Sequence, residues 1–166
     1  NILKNVSNSV LWLLETNNES SKNIIKEAKK NNINENRIIF AKHLPNKDHL
    51  KRIELADIFL DTFPYSAHTT ASDFVRAGIP LITLKGESFA SRVAASILNQ
   101  VNLNELVTKN KNEYQKLAIS IGTDNEKLKN LKEKLKESIS DSNLFNSVLY
   151  TKHLEDLFIN LSKKNK

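Results

Sequence analysis

Ile58-Phe59-Leu60-Asp61-Thr62, Phe63-Pro64-Tyr65-Ser66-Ala67-His68, Thr69-Thr70-Ala71-Ser72-Asp73-Phe74-Val75-Arg76-Ala77, then Gly78-Ile79-Pro80 before Leu81-Ile82-Thr83-Leu84: this stretch decides the fold. It reads as strand, polar loop, helix, stop and strand. The two strands are continuously apolar, as strands are when helices cover both faces of a parallel sheet. Gly78 followed by Pro80 ends the helix, because glycine accepts the left-handed C-cap and proline cannot continue a helical turn. A strand–helix–strand unit of this length predicts an α/β domain with parallel strands.

Working outward, further strands are expected at Ser9–Leu14 and Arg37–Ala41, with a weaker one at Glu105–Thr108. Helices are expected near Ser20–Lys30, Lys47–Ala56 and Ser88–Leu98. After Lys109 the pattern is helical throughout. Tyr114, Leu117, Ala118 and Ile121 recur at i, i+3, i+4 and i+7 and stop at Gly122. Thr123 with Glu126 three residues later reads as a capping box. The helix it opens buries Leu128, Leu131 and Leu135. A last helix carries Leu154, Leu157, Phe158 and Leu161 on one stripe, for packing on the sheet or on a neighbour. The closing Lys163-Lys164-Asn165-Lys166 reads as a frayed tail.

Composition narrows the function classes. A chain of 166 residues suits one domain with a sizeable core, and 39% hydrophobic with 27% charged residues is ordinary for a soluble protein. No apolar run approaches the ~20 residues of a membrane-spanning helix, and Asn1-Ile2-Leu3-Lys4 has no signal-peptide character. The absence of cysteine excludes disulfides, thiolate metal sites and a cysteine nucleophile, and fits a cytoplasmic protein. The net charge of +6 comes largely from lysines interleaved with glutamates on helical faces, so no nucleic-acid partner is expected. Four dispersed histidines, of which His43 and His153 have no companions, do not make a zinc site. With three glycines in all, there is no P-loop, nucleophile elbow or Gly-x-Gly-x-x-Gly turn. Arg92, among small residues, is expected to be a structural cation on a closely packed helix. The chain holds no methionine and starts at Asn1, so it is read as a piece of a longer protein.

In open α/β sheets ligands bind beyond the carboxyl ends of the strands, which selects two junctions. In the richer one, a helix opening near His68 or Thr69 offers unpaired N–H groups and a positive dipole end to an anion. Thr69 and Thr70 add hydroxyls. Asp73, four residues after Thr69 on the same face, can accept from ribose hydroxyls. Spacing alone favours an ordinary N-cap at Thr69 or Thr70 with His68 in the loop. The second junction is Leu44-Pro45-Asn46-Lys47-Asp48-His49-Leu50-Lys51-Arg52. There His49 and Arg52 share a helix face, so an imidazole can stack on a base while a guanidinium reaches its edge. A surface helix with two scattered basic groups has the same spacing.

Taken in order, the segments resemble one family. They are Leu55-Ala56-Asp57-Ile58-Phe59-Leu60-Asp61-Thr62, His68-Thr69-Thr70-Ala71-Ser72-Asp73, Ala77-Gly78-Ile79-Pro80 and Gly86-Glu87-Ser88-Phe89-Ala90-Ser91-Arg92-Val93-Ala94-Ala95-Ser96. Asn8–Leu14, Asn36–Phe40, Leu144-Phe145-Asn146 and Tyr150-Thr151 extend the likeness over nearly the whole chain. Together they look like the C-terminal catalytic lobe of protein O-GlcNAc transferases, bacterial TPR-containing relatives included.

The resemblance implies a Rossmann-like C-terminal lobe of a GT-B glycosyltransferase over residues 1–166, a parallel sheet flanked by helices with a helical C-terminal tail. It implies a UDP-sugar donor, UDP-GlcNAc, and transfer of GlcNAc to Ser or Thr hydroxyls of proteins, with no cofactor or metal. His49 is expected on uracil with Arg52 at its edge, the Leu44 backbone on the base, and Asn46 beside the nucleotide where the family usually has lysine. His68, Thr69 and Thr70 are expected on the diphosphate, where they stabilise the leaving group, and Asp73 on the ribose. The resemblance also implies parts lying ahead of this chain: a first strand, an N-terminal lobe and a TPR region that takes the acceptor protein. The related cytoplasmic N-glucosyltransferases, using UDP-glucose, usually carry an Asn-Thr-Asn type sequence where this chain has His68-Thr69-Thr70. A non-catalytic scaffold retaining the fold is the remaining alternative.

Overall fold

The computed structural model describes residues 1–164. After a short helix α1 (Ile2–Asn5), β1 (Leu11–Leu14) leads into α2 (Asn18–Lys30), and β2 (Ile38–Ala41) into α3 (Asn46–Ile53). Then come β3 (Phe59–Leu60), α4 (Thr69–Arg76), β4 (Leu81–Leu84), α5 (Val93–Gln100) and β5 (Val107–Thr108). Three helices finish the chain: α6 (Lys111–Gly122), α7 (Asn125–Asp141) and α8 (Ser147–Lys164). Every strand pairing is parallel, as expected of βα units. The strands form two sheets rather than one, β1-β2 and β3-β4-β5. No ladder joins β1 to β3, so each sheet keeps an edge there.

The core lies around β4, where Leu81, Ile82, Thr83 and Leu84 are all buried. Ala71 and Val75 of α4, Ala94 and Leu98 of α5, Ile121 of α6 and Leu135 of α7 close on it. Each such large aliphatic side chain contributes about 1.5–3 kcal/mol on leaving water. Small Ala71 and Ala94, both fully buried, let α4 and α5 approach the strands closely. Phe59 of β3 stacks on Phe74 of α4, with centroids 4.2 Å apart. Gly78 takes φ +74° at the end of α4, and Ile79 N–H bonds back to Phe74 C=O at 2.9 Å. A side chain at that φ would be strained, which is why the stop is read so readily from sequence.

Several boundaries differ from expectation, each for a local reason. The expected strands Ile58–Thr62 and Glu105–Thr108 shrink to two residues each: the chain leaves the ladder once Asp61 N–H has bonded Ile82 C=O at 3.0 Å, and Asn104–Leu106 wind into a 3-10 turn. The expected helix Ser88–Leu98 is broken: a 3-10 turn, Phe89–Ser91, precedes α5. Arg92 sits at that break and is exposed, not packed as expected. The cap of α7 is Asp124, whose carboxylate accepts from Lys127 N–H, and not Thr123, whose hydroxyl donates back to Ile119 C=O at 2.8 Å. Of its three expected apolar contacts, Leu135 is buried and Leu128 and Leu131 are half-buried. In α8 no residue is buried, and Leu157, Phe158 and Leu161 are exposed, so this helix does not lie on the sheet. Lys163 and Lys164 form the last turn of α8; Asn165 and Lys166 of the expected tail lie outside the described residues.

Candidate functional site

Both expected junctions follow the carboxyl end of a strand. After β3 the chain crosses Thr62–Ala67, with a cis Phe63–Pro64 peptide, and enters α4 at Thr69. His68 occupies the N-cap position, with φ −108° and ψ −90°, and no side chain caps the helix. The first bond into the helix runs from Ser72 N–H to His68 C=O at 3.2 Å. Among the described residues, the N–H groups of Thr69, Thr70 and Ala71 find no acceptor. No acidic residue stands in the first turn. Open donors at Thr69 and Thr70 and an uncompensated positive dipole end are chemically able to receive an anion. Thr69 and Thr70 are both exposed, and neither serves as the cap that spacing allowed.

The His68 ring is held on two sides. It stacks on Tyr65 with centroids 4.9 Å apart and meets the edge of Phe89 at 5.9 Å. Its Nε2 lies 3.4 Å from Ala90 C=O. The 3-10 turn that breaks the expected helix at Ser88 supplies both Phe89 and Ala90, and so belongs to the site. The same carbonyl accepts from Ser66 N–H at 2.9 Å and Ser66 Oγ at 2.8 Å, fastening the two loops together. Asp73, one turn along α4 from Thr69, is half-buried.

After β2 the chain passes Leu44 and enters α3 at Asn46, with Pro45 at the cap. This helix too has no side-chain cap, because proline carries none. Asn46 is exposed and Leu44 half-buried. Arg52 is more occupied than its sequence suggests. Its Nη1 donates to Lys42 C=O at 2.7 Å, its Nη2 lies 3.2 Å from His49 Nδ1, and its guanidinium carbon sits 5.3 Å from the Trp12 ring centroid. Arg52 Nε is buried without a partner. The guanidinium thus ties α3 to the end of β2 and fixes the His49 ring, which leaves fewer of its donors free for a ligand.

Sequence reasoning passed over Asp61. It is 6% exposed at the mouth of β3. Its Oδ1 accepts from Thr62 N–H at 2.8 Å and Ala67 N–H at 2.7 Å, and its Oδ2 from Thr83 Oγ1 at 2.7 Å. Its backbone carbonyl accepts from Tyr114 Oη at 2.9 Å. Burial pushes the carboxyl above its ordinary range, while the Thr83 hydroxyl, the two N–H groups and nearby His68 draw it back. Burial, helped by the Asp61 charge, likewise raises the Tyr114 phenol. A recess of about 240 Å³ lies here, lined by Asn1, Ile2, Asp61, Phe63, Lys111 and Tyr114 among others. None of the site residues expected from sequence lines it. An acid ending an apolar strand ahead of a turn was the available signal, but only the fold shows what its oxygens hold.

Among the described residues no group of three His, Asp or Glu is placed to hold a metal ion, and no helix is long and apolar enough to cross a membrane.

Comparison with known proteins places the chain. The chain is similar to the UDP-N-acetylglucosamine–peptide N-acetylglucosaminyltransferase of Caenorhabditis elegans, 36% identical over 98% of the chain and 14% of the relative. It is 35% identical to the probable enzyme of that name, SEC, of Arabidopsis thaliana, over 93% of the chain and 16% of the relative. Among solved structures it resembles a mutant of the Thermobaculum terrenum O-GlcNAc transferase. That match has a TM-score of 0.87 and 28% identity, over 95% of this chain and 31% of the other. The chain therefore spans about a seventh to a third of the proteins it matches, and its α/β architecture is that of a GT-B lobe. The sequence model of glycosyl transferase family 41 matches residues 1–154, and with the fold and the relatives in agreement the chain belongs to that family.

Proposed function

We propose that this chain is the lobe that binds the nucleotide diphosphate of UDP-GlcNAc, for transfer of GlcNAc to Ser or Thr hydroxyls of proteins. The observation that carries the reading is the open start of α4, with three N–H groups lacking acceptors beside two exposed threonines. The Thr69 and Thr70 N–H groups, their hydroxyls and His68 face the diphosphate. Because they are fixed before the ligand arrives, they stabilise the charge that collects on UDP as the glycosidic bond breaks. Asp73 takes the ribose hydroxyls. His49 stacks on uracil, Arg52 orients the His49 ring, Asn46 lies beside the base, and the Leu44 backbone bonds its edge. No residue of this chain is assigned as general base. The acceptor protein is engaged by the N-terminal lobe and TPR region. The names of the relatives support the donor and the acceptor class.

Calorimetry on the full-length protein tests this. UDP should bind, uridine should bind far more weakly, and GDP should not compete. Equal affinity for uridine and UDP would sink the phosphate role of α4. Binding of no nucleotide at all would favour a scaffold that kept the fold.

A further inference from the structure

We propose that Asp61 is a positioning residue for the diphosphate site, clamping the Thr62–Ala67 loop at both ends so that His68 and the start of α4 face the ligand. This rests on the UDP reading above. One carboxylate oxygen receives N–H groups from both ends of a six-residue loop, Thr62 at 2.8 Å and Ala67 at 2.7 Å. The other oxygen is pinned at 2.7 Å by Thr83, which is fully buried in β4, the most enclosed strand. The loop's two ends are thereby referred to the rigid core rather than to each other. Ala67 lies immediately before His68, so its N–H bond sets the direction in which the chain enters α4.

The remaining bonds leave the loop few other anchors. Thr62 Oγ1 donates to Tyr65 C=O at 2.8 Å, inside the loop, and Ser66 holds the outer side to Ala90. Tyr114 secures the Asp61 main chain from α6. Removing the carboxylate orphans two backbone donors at the hinge of the site, and a loop that turns to satisfy them carries the His68 ring with it. A buried carboxylate is costly unless every oxygen is bonded, and here each one is. Its negative charge opposes an anion nearby, so its service to the ligand is geometric.

The experiment compares UDP and uridine binding by the full-length wild type, Asp61→Ala and Asp61→Asn, with thermal unfolding alongside. Asp61→Ala should lose about tenfold or more in UDP affinity, measured well below its unfolding temperature, while uridine affinity stays within about twofold. Asp61→Asn, whose Oδ1 still accepts both N–H groups while its amide donates to the Thr83 hydroxyl, should return UDP affinity to within about threefold of wild type. Wild-type UDP affinity in a destabilised Asp61→Ala overturns the proposal and leaves Asp61 a purely structural staple. A parallel loss of uridine and UDP overturns it too. Should Asp61→Ala not fold, Thr83→Val replaces it, cutting only the anchor on Oδ2. A UDP loss of about threefold or more is then expected, and an unchanged affinity overturns the clamp. Failure of the wild type to bind UDP at all shows instead that the underlying nucleotide reading is wrong.

Discussion

Five helices of this protein begin past the carboxyl ends of parallel strands: two starts are closed by their cap residue, that of α5 follows a 3-10 turn with its Ala94 N–H reaching Ser66 Oγ at 3.5 Å, and two are open. After β1 and β5, Asn17 and Asn110 turn their side-chain oxygens onto Ser20 N–H and Glu113 N–H. Glu19 and Glu113 add negative charge to the same first turns, as Asp48 does to that of α3 but no residue does to that of α4. After β2 and β3, the cap positions hold Pro45 and His68, which cap nothing. A capping side chain contributes about 1 kcal/mol, so its omission twice, after two strands successive in the chain, costs stability. The comparison teaches that the open starts are not forced by the βα turn, since the same turn is closed elsewhere in the chain. What separates them is the residue type at one position, and the open pair carries every group expected to touch a nucleotide.

The contrast can be broken in four ways. The largest effect is expected from His68→Asp, which closes α4 with a capping carboxylate where the diphosphate should lie. UDP affinity should fall at least a hundredfold, about 3 kcal/mol or more, and calorimetry showing wild-type affinity would place the anion elsewhere. Next, Thr69→Ala with Thr70→Ala removes the hydroxyls but leaves the N–H groups. A loss of about 1.5–3 kcal/mol in UDP binding is expected, and no loss means that the hydroxyls only face solvent.

His49→Ala on the second open start should cost about 1–2 kcal/mol through lost base stacking. It should weaken uridine and UDP equally, unlike the changes on α4; a diphosphate-selective loss would contradict its placement on the base. The smallest effect on binding belongs to the closed starts. Asn17→Ala should lower stability by about 1 kcal/mol in thermal unfolding with UDP affinity unchanged. A change in affinity there would mean that capped and open starts do not divide by role.

How much of this was legible follows the reach of each interaction. The β4 strand, the α4 stop at Gly78 and the parallel α/β class were legible because apolar run length and glycine's tolerance of positive φ act over a few residues. Thr123 was mistaken for the cap of α7 because threonine and aspartate both fit that position. Only backbone angles decide that Asp124, with φ −124° and ψ 98°, stands outside the helix. The break at Phe89–Ser91 was hidden inside an apolar, small-residue pattern that reads as one helix. Its cause is tertiary: the Ala90 carbonyl bonds Ser66, and Ser91 is buried beside Gly86, where a Cβ would come within 2.8 Å of the Ser91 Cβ. The apolar stripe of α8 was seen correctly as a pattern, but a stripe does not name its partner, and its residues stay exposed.

Sequence by itself determined the parallel α/β class, the two junctions and the residue types they offer. Those depend on periodicity, chain direction and chemical identity, all written locally. Tertiary structure alone decided that His68 rather than a threonine stands at the cap, that Arg52 is spent on Trp12, Lys42 and His49, and that Asp61 grips both ends of the loop. The last of these joins Asp61 to Thr83, twenty-two residues away, through one hydrogen bond between neighbouring parallel strands. Such bonds leave no periodic trace, because their geometry exists only after the strands have paired.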